Sequence, residues 1–278
     1  MKVVILGAKG MLGKDLGRVF YNASPYLLDK DELDITNKEG VSKLFLNLKP
    51  DVVINAAAYT DVDGCETSRS EAMRVNGEAP GYLAAAAKDA GAVFVHYSTD
   101  YVFDGKKEGG YKEDDEAGNP LNFYGVSKLA GERAVREAGG DYYIIRTSWL
   151  YGINGKNFVE TMLQKAHEPS AIKVVNDQHG KPTFSLDLAR STRKLIESKK
   201  DFGIYHITNE PATTWYDFAC DILNQKKNTS IDTSILPCSS DEFPRLAKRP
   251  QYSILLNKKL PLLRCWQEAL REYLSLRK

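Results

Sequence analysis

Cysteine is scarce and scattered. The four cysteines of the 278-residue chain, Cys65, Cys220, Cys238 and Cys265, form no C-x-x-C pair and lie near no histidine cluster. That spacing excludes a disulfide framework or zinc site and fits reduced thiols in a cytoplasmic protein. Long apolar runs are missing too: no stretch reaches the roughly 18 residues that a membrane span needs. The apolar start Val3–Leu6 ends at Gly7, too soon for a signal peptide and right for a buried strand. A dominant charge is also absent, with 38 Lys and Arg against 37 Asp and Glu, which argues against a nucleic-acid partner. Repeats and low-complexity segments are absent as well. What remains is an ordinary globular balance, 42% hydrophobic and 27% charged. At about 150 residues per domain, the length suits two domains or one with a large extension.

The first 150 residues alternate in rhythm. Strands are expected at 2–6, 25–28, 51–58, 92–98 and 141–149. Between them, Leu12, Leu16, Val19 and Phe20 mark one helical face, and Val41, Leu44, Phe45 and Leu48 another. Thr36 and Glu39 have capping-box spacing ahead of the second helix. Residues 68–90 read as a helix bent at Pro80-Gly81, and 124–138 as a further helix. Near-continuous apolar strands separated by helices indicate an α/β fold, a doubly wound parallel sheet covered on both faces. Beyond Trp149 the rhythm loosens. Helices are expected at 158–167 and 185–198, an extended piece at 172–176, and a strand at 203–209 that returns to the sheet. A turn-rich stretch at 228–262 leads to a closing helix near 266–276. The expected division is therefore residues 1–150 as one domain, completed by elements within 184–209, and 151–278 mostly as a smaller α+β lobe.

Gly7, Gly10 and Gly13 follow the first strand and open the first helix. Helix-start amides attract phosphate, and glycines let a pyrophosphate approach the backbone. The G-x-x-G-x-x-G spacing fits a dinucleotide site, the plainer alternative being a tight turn. Asp29 ends the second strand about 20 residues on, where a carboxylate can bind ribose hydroxyls. Lys30 beside it suits a 2′-phosphate instead, so the choice between NADH and NADPH stays open. Asp34 and Ile35 follow, placed to bracket an adenine or simply to precede a helix. Tyr124 and Lys128 share a helix face at i and i+4. A phenol titrates near 10 and needs a neighbouring cation before it can exchange protons at neutral pH. Ser98-Thr99 adds a hydroxyl at the carboxyl end of the fourth strand, where ligands of open α/β sheets sit.

These motifs together resemble the extended short-chain dehydrogenase/reductase family, and within it the dTDP-4-dehydrorhamnose reductases. The resemblance rests on Gly7–Gly13, Asn55–Thr60 (NAAAYT), Ser98–Phe103 (STDYVF), Tyr124–Lys128 (YGVSK), Arg146–Trp149 (RTSW), Asn176–Thr183 (NDQHGKPT) and Lys248-Arg249-Pro250, nearly end to end. It implies a Rossmann-like sheet with a smaller substrate-binding lobe, and reduction of a nucleotide-linked 4-ketosugar by NADPH or NADH. Thr99, Tyr124 and Lys128 match the catalytic positions. Gly10, Met11 and Leu12 match the pyrophosphate contacts, and Asp29, Asp34 and Ile35 the adenosine side. Ala58, Tyr59, Thr60 and Tyr97 match positions lining the cofactor, while Thr99, Asp100, Tyr101, Trp149 and Arg249 match substrate contacts. In this scheme Lys128 lowers the pKa of Tyr124, and Tyr124 protonates the carbonyl oxygen. Some relatives bridge a homodimer through magnesium. Asp15 sits at one matching position, the other ligands are not identifiable, and no metal ligand set is assigned.

Related epimerases and 4,6-dehydratases share the Tyr–Lys pair. A dehydratase resembles Thr-Asp-Glu at the strand end, however, and here Tyr101 follows Asp100. A non-catalytic subunit that keeps only the nucleotide fold is the remaining alternative. Charge is uneven: residues 243–278 hold nine Lys or Arg and two acids. This excess reads either as a solvated basic face or as a positive wall facing a diphosphate, with Arg249 as its centre. The acidic run Glu113–Glu116 reads as a solvated loop.

Overall fold

The computed structural model of the protein describes residues 1–168, 170–225 and 234–277. Its first half runs β1 (Val3–Leu6), α1 (Met11–Val19), β2 (Tyr26–Leu28), α2 (Lys38–Leu48), β3 (Val52–Asn55), α3 (Gly64–Thr67) and α4 (Arg69–Ala72). A π-helical turn, Met73–Glu78, then leads into α5 (Ala79–Asp89), β4 (Val93–Thr99), α6 (Phe123–Ala138) and β5 (Tyr142–Thr147). The second half holds β6 (Leu150–Tyr151), α7 (Phe158–Lys165), β7 (Ile172–Val175), β8 (His179–Gly180), β9 (Thr183–Phe184), α8 (Ser185–Glu197) and β10 (Gly203–His206). It closes with β11 (Thr213–Thr214), α9 (Trp215–Gln225), β12 (Ile235–Cys238) and α10 (Trp266–Leu276).

Six strands form one parallel sheet in the order β10-β5-β4-β3-β1-β2. The alternation of side chains along a strand explains why both faces are covered. Val3 and Ile5 point into a core with Leu12 and Leu16 of α1 and Leu188 and Leu195 of α8. Val4 and Leu6 point the other way, against Val41 and Phe45 of α2 and Leu83 of α5. Strand order reverses on either side of β1, which pairs with both β2 and β3, and ligands bind beyond the strand ends at such a switch point. The last strand, β10, pairs with β5 as its apolar run suggests. A third core, with Tyr151, Val159, Phe218, Trp266 and Tyr273, binds the helices of the second half together.

Three local expectations need correction. The helix entering α5 does not break at Pro80-Gly81; its irregularity lies one turn earlier, in the π-helical turn Met73–Glu78. Proline has no N–H for the carbonyl four residues back, and widening the preceding turn accommodates that loss. The cap of α2 is Asn37, whose side chain accepts from the Gly40 amide, rather than Thr36. The third strand stops at Asn55, leaving Ala56–Ala58 as a loop at the switch point. Of the stretch expected to be turn-rich, 228–233 lies outside the described residues; the remainder contains β12.

Candidate active site

The glycine turn makes a floor with no room for side chains. Gly7 has φ +73°, and a Cβ there would lie 2.7 Å from the Ala57 nitrogen; at Gly13 it would lie 2.1 Å from the Gly7 oxygen. The β1–α1 turn is thus pressed against the exit of β3, and α1 starts at Met11, which lines the groove with Gly10 and Leu12. That arrangement fits a pyrophosphate. Gly13 serves it from below and lines neither of the adjoining cavities.

On the β2 side lies a cavity of about 340 Å³ lined by Gly7, Asp29, Asp34, Ile35 and Ala58. The Asp29 carboxylate accepts the amides of Lys9 and Lys30 at 2.8 and 2.9 Å. The Lys9 ammonium is held by Asp31 and Glu32 at 2.7 and 3.2 Å. Asp34 accepts both the amide and the hydroxyl of Thr36, bonds that hold its pKa below the ordinary carboxylate value. Arg74, which sequence reasoning missed, reaches this cavity from the π-helical turn and donates to Thr36 at 2.8 Å.

Lys9, Gly10, Ala56 and Ala58 also line a second cavity of about 680 Å³, so one groove crosses the switch point. Met11, Leu12, Thr60 and Tyr97 line this second part, with Thr99, Asp100, Tyr124, Lys128 and Trp149 at its far end. Asn154–Lys156, also unforeseen, close one side. Tyr59 is not among the lining residues. Its amide donates to Asn76 at 2.8 Å, and its hydroxyl sits beside Gly64, because the loop turns away after Ala58.

At the far end, helix α6 is capped by Asn122, whose side chain accepts from the Gly125 amide at 2.9 Å. Tyr124 therefore sits in the first turn. Burial, and after it the charge of Asp100, push its pKa well above the ordinary phenol value, while the Thr99 hydroxyl draws it down. Lys128 sits one turn on, and its ammonium donates to the Tyr97 carbonyl at 2.6 Å. Burial lowers its pKa to about 8, opposed by Glu132, which Arg146 grips through two bonds of 2.9 and 2.7 Å. The expectation that Lys128 lowers the pKa of Tyr124 is not met in this state: the ammonium is directed to a carbonyl, and burial dominates the phenol. Asp100 is raised to about 7 by burial, against the Ser253 and Thr99 hydroxyls, and the Thr99 hydroxyl donates to it at 2.9 Å.

A third cavity, of about 330 Å³, adjoins this end. Tyr101, Phe158, Trp215, Arg245 and Arg249 line it. Tyr101 meets Tyr124 edge-on, ring centroids 6.0 Å apart, and Trp215 stacks on Trp149 at 3.7 Å. Trp149 has φ +47°, an uncommon conformation for a bulky residue, which the surrounding packing must sustain. Trp215 and its helix α9 were missed, although a signal was present. Thr214 caps Asp217 reciprocally, accepting from its amide at 3.0 Å and donating to its carboxylate at 2.7 Å, and a Thr-x-x-Asp spacing marks such a start.

The basic carboxy-terminal segment is not one wall. Arg245 and Arg249 face the third cavity, whereas Arg264 pairs with Asp187 and Glu272, and Lys259 with Asp114. Nor is the acidic run wholly solvated: Glu113 is buried and accepts the amides of Lys258 and Lys259. Asp15 is buried and accepts the Ser185 hydroxyl. Among the described residues no cluster of three metal-binding side chains occurs, and no helix is long and apolar enough to cross a membrane.

The sequence matches the RmlD substrate binding domain family over residues 1–277. It is 40% identical to the spore coat polysaccharide biosynthesis protein SpsK of Bacillus subtilis, across 99% of this chain and 97% of that one. A crystal structure of a dTDP-4-dehydrorhamnose reductase from Clostridium acetobutylicum superimposes with TM-score 0.94 at 44% identity, covering 99% of both chains. That of the dTDP-4-dehydrorhamnose reductase of Bacillus anthracis, in complex with NADP, gives 0.93 at 38% identity, again covering 99% of both. With a match over almost its whole length, the chain belongs to the RmlD substrate binding domain family.

Proposed function

We propose that the protein reduces the C4 ketone of dTDP-4-dehydro-L-rhamnose to dTDP-L-rhamnose, using NADPH, in nucleotide-sugar synthesis for cell-surface polysaccharide. One observation carries the reading: a half-buried Tyr124 stands with Thr99 and Lys128 at the end of a dinucleotide groove that adjoins an aromatic, cationic cavity. When bound, the nicotinamide supplies a hydride. Reduction also requires a proton, which a phenol holds at neutral pH. Tyr124 donates it to the carbonyl oxygen, and the Thr99 hydroxyl hydrogen-bonds that oxygen as charge develops. Lys128, fixed by the Tyr97 carbonyl, places a cation where the nicotinamide ribose would lie. Gly10, Met11 and Leu12 hold the pyrophosphate, and Asp29, Asp34 and Ile35 the adenosine.

In this scheme residues 1–150, with α8 and β10, bind the cofactor, and most of 151–278 forms the substrate lobe. The third cavity takes the nucleoside diphosphate, its base against Trp215 and its phosphates toward Arg249 and Arg245. The two amides on Asp29 occupy much of its carboxylate, which leaves Lys30 and Arg74 as the cations for a 2′-phosphate. Lys30→Ala should then weaken NADPH selectively and Asp29→Ala should weaken NADH more; equal losses in both would show that neither residue reads that position. Free thiols suit a reducing cytoplasm, and a homodimer, to be read by light scattering, completes the proposal. The decisive assay mixes purified protein with NADPH or NADH and a panel of nucleotide-4-ketosugars. Nicotinamide oxidation with dTDP-4-dehydro-L-rhamnose and an L-rhamno product is expected, and no oxidation with any member would end the reading.

A further inference from the structure

The loop around Arg249 comes from the far end of the chain, yet it is pinned to the wall of the active site. Asp63, on the loop that follows β3, accepts the Ala247 amide at 3.0 Å with one carboxylate oxygen and the Arg249 guanidinium at 3.1 Å with the other. Arg245 stands 4.0 Å from that second oxygen. Asn122, the cap of the Tyr124 helix, donates to the Lys248 carbonyl at 2.8 Å. The Tyr252 amide donates to the Gly105 carbonyl at 3.1 Å. Arg249 also donates through its other terminal nitrogen to the Ala247 carbonyl at 2.6 Å, so its plane is fixed from two sides while it lines the third cavity.

A free arginine at a cavity wall samples many rotamers, and that freedom is lost when it grips an anion. A carboxylate that fixes the guanidinium beforehand removes much of this cost from the binding step. Asp63 is ionised where it stands. Burial alone would raise its pKa, but the Ala247 amide and the Arg249 charge outweigh it and hold the pKa below the ordinary value. Asp63 with Arg245 and Arg249 still leaves one net positive charge at the cavity. We propose that Asp63 is a positioning residue, presenting Arg249 to the diphosphate of the nucleotide-sugar and tying that grip to the loop that leaves the cofactor groove. The proposal rests on the reading of the third cavity as the nucleotide-sugar site.

Asp63→Asn keeps an oxygen for the Ala247 amide and removes the charge. Calorimetric affinities for dTDP, thymidine and NADPH, with kcat and KM for the ketosugar, provide the test. The dTDP Kd and the ketosugar KM should each rise about tenfold, or about 1.4 kcal/mol, with thymidine and NADPH within about twofold and kcat little changed. Asp63→Asn in an Arg249→Ala background should add nothing, the mark of two residues acting as one unit. Should the Asn variant fold poorly, Asp63→Ser supplies the same comparison. Unchanged or tighter dTDP binding in Asp63→Asn, while Arg249→Ala weakens it, would overturn the positioning role and leave the site reading intact. A uniform loss for all three ligands would overturn it too, since that is the signature of a merely structural residue. If Arg249→Ala itself leaves dTDP affinity unchanged, the assignment of the cavity to the diphosphate fails first.

Discussion

The groove that ends at Tyr124 and the cavity beside it, behind Tyr101, are made of different material. The proposed cofactor groove has a floor of small residues, Gly7, Gly10, Ala56 and Ala58, on two adjacent strand exits. The substrate cavity is walled by large side chains, Tyr101, Phe158, Trp215 and Arg249, from four distant stretches of sequence. On the proposed reading the first would recognise its ligand through backbone amides and the absence of Cβ atoms, the second through stacking and charge. A change in one wall should therefore leave the other ligand almost untouched.

The largest effect is expected on the border itself. Tyr124→Phe removes only the hydroxyl, so turnover should fall by roughly 10²–10⁴, while NADPH and dTDP affinities hold. Turnover within a few-fold of the unsubstituted protein, at saturating substrate, would end its role as proton donor. Next in size is the cofactor wall. A methyl at Gly13 would fall 2.1 Å from a backbone oxygen that cannot swing away. Gly13→Ala should lose about 1–3 kcal/mol of stability and bind NADPH at least about tenfold more weakly, with dTDP affinity retained; denaturant melts and calorimetry read both. Trp215→Ala is the mirror case, with dTDP weakened by the loss of about 0.5–1.5 kcal/mol of stacking and NADPH unaffected. A comparable loss of both ligands in either variant would show that the walls are not independent.

A smaller effect belongs to pH. Lys128 is lowered to about 8 by burial, so its ammonium is lost as pH rises through that value, and kcat/KM should decline there. Lys128→Arg, whose guanidinium does not titrate in this range, should flatten that limb even at reduced activity. The sign for stability is opposite. Between about 8 and the ordinary 10.5 the unfolded chain holds this proton and the folded one does not, so this residue makes stability rise with pH. A kcat/KM profile that stays flat through pH 9 would remove the ammonium from the mechanism.

The same contrast governs how much the sequence discloses. Strands such as Val3–Leu6, four consecutive apolar residues, and Val52–Asn55, apolar up to its final asparagine, are buried throughout and announce a sheet covered on both faces. Gly7–Gly13 and Tyr124–Lys128 are legible because each is a spacing within a few consecutive residues. Arg74, Trp215 and Asp63 are not, because each meets a partner that only folding brings near: Thr36, Trp149 and Arg249. Glu113 misled for the same reason. Its neighbours in sequence are acidic, while its partners in space are the amides of Lys258 and Lys259.

The stacked indoles of Trp149 and Trp215 make the boundary between the cavities an optical device. Two of the chain's three tryptophans lie face to face at 3.7 Å with an interplanar angle of 10°, close enough for their excited states to couple. One ring borders the cofactor groove and the other the substrate cavity. Circular dichroism in the indole bands, together with intrinsic emission, thus reports from both cavities at once, without a label.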